Sequence, residues 1–217
     1  MIQKIVPASE ARAETLVVNS RFIASAAPAA TVEQAKAFIV RIRQEFPDAT
    51  HNVPAFVIGH GASTILHCSD DGEPSGTAGR PALAVLQGSG LGNVAVVVTR
   101  YFGGTKLGTG GLVRAYSDAV RSVLQVLPKG ELVTTHTVYM EMAYNLYERV
   151  RNLILEHKGK VLEQDFTEQV ALTASFAVDY LPAFQADLQE LSRGSLQIEI
   201  IESSDMIMPL DTVSEAS

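Results

Sequence analysis

Two stretches of this chain hold residue types that do chemistry. DDGEPSGTAGRP, Asp70 to Pro81, sets three carboxylates among three glycines and closes on Arg80. Acid pairs hold metals or protons, and glycine loops let a backbone come close to something, so the run suits a ligand or an awkward turn. The second stretch is GGTKLGTGG, Gly103 to Gly111, with five glycines in nine residues. It lies between an apolar run, VAVVVTRYF, and a helical pattern, LVRAYSDAVRSVL. Strand, glycine loop and helix in that order present unpaired backbone N–H groups and the positive helix end to an anion. Arg100, Lys106 and Arg114 share this segment and no acidic residue occurs between Val94 and Ser117, so the local field favours phosphate or carboxylate. The competing reading is a tight turn with solvated cations. A Walker loop is excluded because no Gly-Lys-Ser/Thr triplet occurs.

For the acidic stretch three readings stand side by side: a cation site or oriented nucleophile, an Asx-type turn, and a polar recognition loop, which is the preferred one. The spacing is not that of an EF-hand. His51, His60, His67 and Cys68 lack the spacing of a zinc site, and no metal is expected. Ser75 or Cys68 beside His51 or His67 is a formal nucleophile–base pair, but nothing resembles the Gly-x-Ser-x-Gly elbow. GSGLGN precedes a strand instead of opening a helix, and reads as a turn.

The elements that must position these residues follow from periodicity. ETLVVNSRFIASA has strand composition. Thr31 and Gln34 form a capping box for a helix whose apolar face is Val32, Ala35, Phe38, Ile39, Ile42 and Phe46. PAFVIG and STILHC are strands joined through Gly59 to Gly61, the second leading into the acidic stretch. Pro81 suits the first turn of a short helix, and VAVVVTRYF has the composition of a strand buried on both faces. LPKGE, Leu127 to Glu131, is the expected domain boundary and a protease-accessible linker. Beyond it the order is strand, helix, two strands, helix, strand, the ferredoxin-like split motif. The fold class is therefore α+β in two domains, residues 1–130 and 131–205, with a loose tail over 206–217.

The chain has 217 residues and a net charge of -7, with no apolar run of membrane-span length, no signal-peptide segment and a single cysteine. A reducing cytoplasm is the expected compartment. Residues 1–130 carry 12 Lys+Arg against 9 Asp+Glu, net +3, whereas 131–217 carry 5 against 15, net -10. A polyanionic partner would therefore meet the first half.

Three blocks, HNVPAF at His51, DDGEPSGTAGRP at Asp70 and VVVTRYFGGTKLGTGGLVRAY at Val96, together resemble the IMPACT family in its bacterial YigZ-like branch, as does SRFIA at Ser20. The resemblance covers most of residues 16–127. Val53 stands where many members carry cysteine, which argues against a redox or metal role near His51. The extra N-terminal interaction domain of eukaryotic members is not expected here. The resemblance implies a first domain with the fold shared by the second domain of a small-subunit ribosomal protein, elongation factor G domain four and GHMP kinases. It implies a second domain like elongation factor G domain five. Eukaryotic relatives regulate translation by competing for a ribosome-associated activator of the kinase that phosphorylates initiation factor two.

On this basis the expected function is that of a non-catalytic, translation-linked regulator that engages RNA or a ribosome-associated protein. No cofactor is expected. The alternatives are an enzyme acting on a small phosphorylated or nucleotide substrate and a protein–protein adaptor. The expected anion contacts are Arg80, Arg100, Tyr101, Gly104, Lys106, Gly108 and Arg114, supported by His51, Asp70, Asp71, Glu73, Gly76, Thr77 and Gly79. In this reading the three carboxylates hold Arg80, Arg100 and Arg114 by charge-assisted hydrogen bonds, while the glycines bare the backbone to the ligand. Right-handed connections between neighbouring parallel strands would bring both loops to one sheet edge.

Overall fold

The computed structural model describes residues 3–210. The described residues divide into two compact units, 3–131 together with 207–210, and Leu132–Met206.

In the first unit, β1 (Ile5–Pro7), β2 (Ala11–Val17), β3 (Ser20–Pro28), α1 (Val32–Glu45), β4 (His51–Ile58), β5 (Ile65–Cys68), α2 (Gly79–Gly88), β6 (Val94–Tyr101) and α3 (Gly108–Val126) follow in order. Five strands form one antiparallel sheet, β2-β3-β6-β4-β5. The stretch read as a single strand from Glu14 is split into β2 and β3 by a two-residue turn, Val18 and Asn19, both at positive φ. That turn lacks glycine and proline, so the usual signal was missing. The capping box is present: Gln34 N–H donates to Thr31 Oγ1, and Ala30 N–H to Gln34 Oε1.

Alternation along β6 explains its uninterrupted apolar run. Ala95 and Val97 face α1, packing with Ala35, Phe38 and Ile42. Val94, Val96 and Val98 face α2 and α3, packing with Ala82, Leu86, Ala115 and Val120. Arg100 is next in that second row, and thus points toward α3. Across the sheet its register partners are His51 on β4 and Phe22 on β3.

The sheet is antiparallel throughout, so the expected parallel neighbours do not exist. The loops after β5 and β6 still emerge at one edge, because β4 lies between these strands and runs opposite to both.

The remaining elements are β7 (Lys129–Met142), α4 (Tyr144–Glu156), β8 (Lys160–Phe166), β9 (Val170–Ala177), α5 (Leu181–Ser192) and β10 (Glu199–Pro209), of which the part from Leu132 to Met206 forms the second unit. The strand order β10-β7-β9-β8 is the ferredoxin-like order. Val138, Met140, Leu172, Ala174 and Phe176 alternate inward under α4 and α5.

Where a linker was expected, the structure has a paired strand: Lys129, Gly130 and Glu131 open β7 and pair with Pro7, Val6 and Ile5 of β1. Residues 206–209, expected in a loose tail, belong to β10. Leu210 then donates its backbone N–H to the Lys129 carbonyl, and 211–217 lie outside the described residues. Among the described residues no helix is long and apolar enough to cross a membrane.

Candidate anion-facing site

The loop after β5 runs back along β4 and is held by its own carboxylates, each in a different way. Asp70 turns inward. Its Oδ2 accepts the backbone N–H of Gly76, and its Oδ1 accepts those of Ala78 and Gly79, at 2.8, 3.1 and 2.8 Å. Gly79 opens α2, so this carboxylate takes the place at the helix N-terminus that a ligand anion would otherwise hold. Burial pushes the Asp70 carboxyl up, but the N–H groups of Gly76, Gly79 and Ala78 together outweigh it and hold the group below its ordinary range. A carboxyl depressed by folding contributes stability above its unfolded pKa, about 3.9, and loses it as pH falls through the lower folded value. Asp70→Asn, which removes the charge and turns an amide NH2 against an N–H donor, should cost about 1–2 kcal/mol at neutral pH. Thermal melts from pH 7 downward should show the gap between variant and parent closing below the normal carboxylate range. A gap that persists unchanged into strong acid would contradict this role.

Asp71 sits at φ +48, a left-handed conformation Asp tolerates. Its carboxylate bonds Arg43 of α1 and the Asn52 backbone N–H, and its carbonyl oxygen lies 2.7 Å from His51 Nδ1. Thr77 closes a turn by donating to the Pro74 carbonyl.

Glu73 reaches furthest and is 8% exposed. Its Oε1 accepts from Arg100 Nη1 at 2.6 Å and from the Tyr116 hydroxyl at 2.7 Å, while His51 Nε2 stands 3.9 Å from Oε2. Arg100 Nη2 also donates to Ser20 Oγ, which accepts the Gly103 N–H as well. The guanidinium lies over the rings of Phe22 and Phe102. Tyr116 is fully buried, edge-on to Phe22, and burial followed by the Glu73 carboxylate pushes its hydroxyl far above the usual tyrosine range. It therefore stays a hydrogen-bond donor. One carboxylate thus ties the acidic loop to β6 and α3, and Arg100 passes the link on to Ser20 at the start of β3.

Several expected pairings give way here. Arg100, expected at the surface as an anion contact, is 5% exposed and committed to Glu73, because the alternation of β6 carries it under α3. Asp71 pairs with Arg43 and not with an arginine of the glycine loops. Asp70 holds backbone, and neither Arg80 nor Arg114 has a carboxylate partner among the described residues. Gly79 is buried, and a Cβ there would lie 2.6 Å from the Ser69 carbonyl oxygen, so it serves the close approach of α2 and not a ligand. Gly76 is occupied by Asp70. Tyr101 donates to Asp48.

The second loop is the open one. Gly104 and Gly108 take positive φ with no atom near their missing Cβ positions. α3 starts at Gly108 without a side-chain cap and without an acidic residue in its first turn. Lys106 and Arg114 flank that start, and both are exposed. Of the two glycine loops on this edge, one is closed by its own carboxylate and one presents bare N–H groups.

Other candidate chemistry disperses. His67 stacks on Phe56, His60 lies against the Ile5 carbonyl, and burial followed by Asp70 pushes the Cys68 thiol up, away from a reactive thiolate. Among the described residues no three His, Cys, Asp or Glu side chains converge as metal ligands. Reasoning from sequence missed Ser20, Asn52, Arg43 and Tyr116 as parts of the cluster. Tyr116 alone carried a signal, as a hydroxyl on the apolar face of α3.

Residues 18–124 match the family described as Impact N-terminal domain, and residues 140–195 match a domain of unknown function, DUF1949. The IMPACT family member YigZ of Escherichia coli strain K12 is 39% identical over 199 residues, 91% of this chain and 98% of that protein. An IMPACT family member of Haemophilus influenzae is 38% identical over 204 residues, covering 93% of this chain and 98% of its own. Mouse Protein IMPACT is 36% identical over 94 residues, 42% of this chain and 29% of that protein. A crystal structure titled only as that of a hypothetical protein superposes with a TM-score of 0.63 at 39% identity, covering 93% of this chain and 98% of that one.

Proposed function

Because the chain belongs to the IMPACT family, we propose that it is a non-catalytic, translation-linked regulator that binds RNA through the start of α3. The observation that carries this reading is the uncapped N-terminus of α3 with Lys106 and Arg114 beside it and no acid in its first turn. Backbone N–H groups and two cations suit phosphates, and the first half of the chain holds the positive charge. A ribosome-associated protein partner, a small phosphate-bearing ligand and work in the cytoplasm belong to the same proposal as its variants. The enzyme alternative has less support, because Asp70, Asp71 and Glu73 are each engaged in internal hydrogen bonds that a base or metal ligand would have to break.

With Arg100 interior, the side-chain cations at the start of α3 are Lys106 and Arg114, two to meet phosphates. Binding of a fluorescent single-stranded RNA to the full chain should therefore show a log–log salt slope of about -1.4, lessened by about 0.7 in Lys106→Ala or Arg114→Ala. A slope unchanged by both substitutions, or no RNA binding at low salt, would remove RNA from this site.

A further inference from the structure

On the outer side of α2 and α3, away from the sheet, an open groove of about 870 Å³ separates the two helices. Each wall is a row of residues four apart, Arg80, Ala84 and Gly88 on α2, and Val113, Ser117 and Arg121 on α3. Residues at that spacing line one helix face. Val85 and Leu124 also line it, and among the described residues no acidic one does. Both helices start from the sheet edge where β5 and β6 end, so they run the same way. Arg80, in the first turn of α2, marks one end of the groove, and Arg121, well along α3, marks the other. Ten residues of α2 give the groove a length of about 15 Å, near three helical turns.

We propose that this groove seats an acidic amphipathic helix of a partner protein, with aliphatic side chains over Ala84 and Val85 and carboxylates at Arg80 and Arg121. Rows with small residues between them accept the ridge of a third helix. Charge complementarity favours an acidic one. Arg80 has no ion pair among the described residues, and the Arg121 pair with Asp118 is exposed on both sides, so it exchanges readily for another carboxylate. The described lining offers no aromatic ring for a nucleic-acid base, and Ser117 is its one buried polar side chain, too few to fix a small molecule. This surface is separate from the start of α3, and neither Lys106 nor Arg114 lines it.

The test uses the full chain and a fluorescein-labelled peptide of about 18 residues, with leucines at helical i, i+3, i+4, i+7 spacing and glutamates on the flanks. A second peptide carries lysine in place of every glutamate. Anisotropy should show saturable binding of the acidic peptide, weakened more than about tenfold by Ala84→Trp, which fills the groove. Arg80→Glu with Arg121→Glu should reverse the preference, so that the lysine peptide binds and the acidic one does not. That reversal requires a folded groove, and melting curves alongside control Ala84→Trp. Absence of saturable binding, binding indifferent to both variants, or no reversal overturns the proposal. So does sedimentation showing a parent dimer that Ala84→Trp dissociates, since the occupant is then a second copy.

Discussion

Arg100→Ala should lower stability by about 3–5 kcal/mol, the usual cost of removing one partner from a buried ion pair. Arg100 and Glu73 are both nearly inaccessible, and truncating the arginine leaves the Glu73 carboxylate with only the Tyr116 hydroxyl and a distant His51 ring. Glu73→Gln should cost a similar amount from the opposite side, leaving the guanidinium charge uncompensated between Phe22 and Phe102. Calorimetry should place the melting of the first unit roughly 10 °C lower in either variant. The double variant should cost much less than the two singles added, because each single already strands the other's charge. If Arg100→Ala melts like the parent but loses RNA affinity and salt slope, the arginine is a surface contact after all.

Gly103→Ala should be nearly as damaging, for a steric reason. A Cβ at Gly103 would lie 2.0 Å from the Asn19 carbonyl oxygen and 2.5 Å from the Ser20 nitrogen. These are backbone atoms of a tight turn already held at positive φ, so neither side yields without loosening Ser20 from Arg100 and Gly103. The cost should be about 3 kcal/mol or more, the upper end for overpacking. Gly104→Ala, one residue later, meets open space and pays only for its left-handed φ, about 1–2 kcal/mol. Denaturant midpoints of the two variants should fall in that order. Equal midpoints would mean that the loop after β6 does not pack on the β2–β3 turn.

How far the sequence carried these conclusions differs from residue to residue. The α1 face and the βαββαβ order of the second unit were legible, because each follows from local periodicity or chain order; the two loops do share an edge, but through the antiparallel β4 between their strands and not through the parallel neighbours expected. That Arg100 lies inside was legible in principle: counting by twos from Val94 puts it in the same row as Val96 and Val98. Composition misled, since an arginine next to a glycine loop reads as an anion contact until its strand neighbours are known. That the carboxylates would hold Arg100 was expected, and Glu73 does; the other long-range contacts of the cluster were not legible. Asp71 with Arg43, Glu73 with Tyr116 and Ser20 with Gly103 are separated by 28, 43 and 83 residues, and only the tertiary register joins them. The role of Asp70 had a local signal, an acid shortly ahead of a helix start, but the glycines around it pointed equally well to a ligand.

The first unit is discontinuous in the chain: Gly130 lies against Ile207 and Met208, beyond the whole of the second unit. During synthesis the ribosome releases β1 and the start of β7 long before the end of β10 exists. At about 5–20 residues per second that interval is about 4–15 s, and it is the time in which the second unit itself is made. The first unit is thus born with one sheet edge unfinished, and the last strand to emerge completes a structure begun by the first.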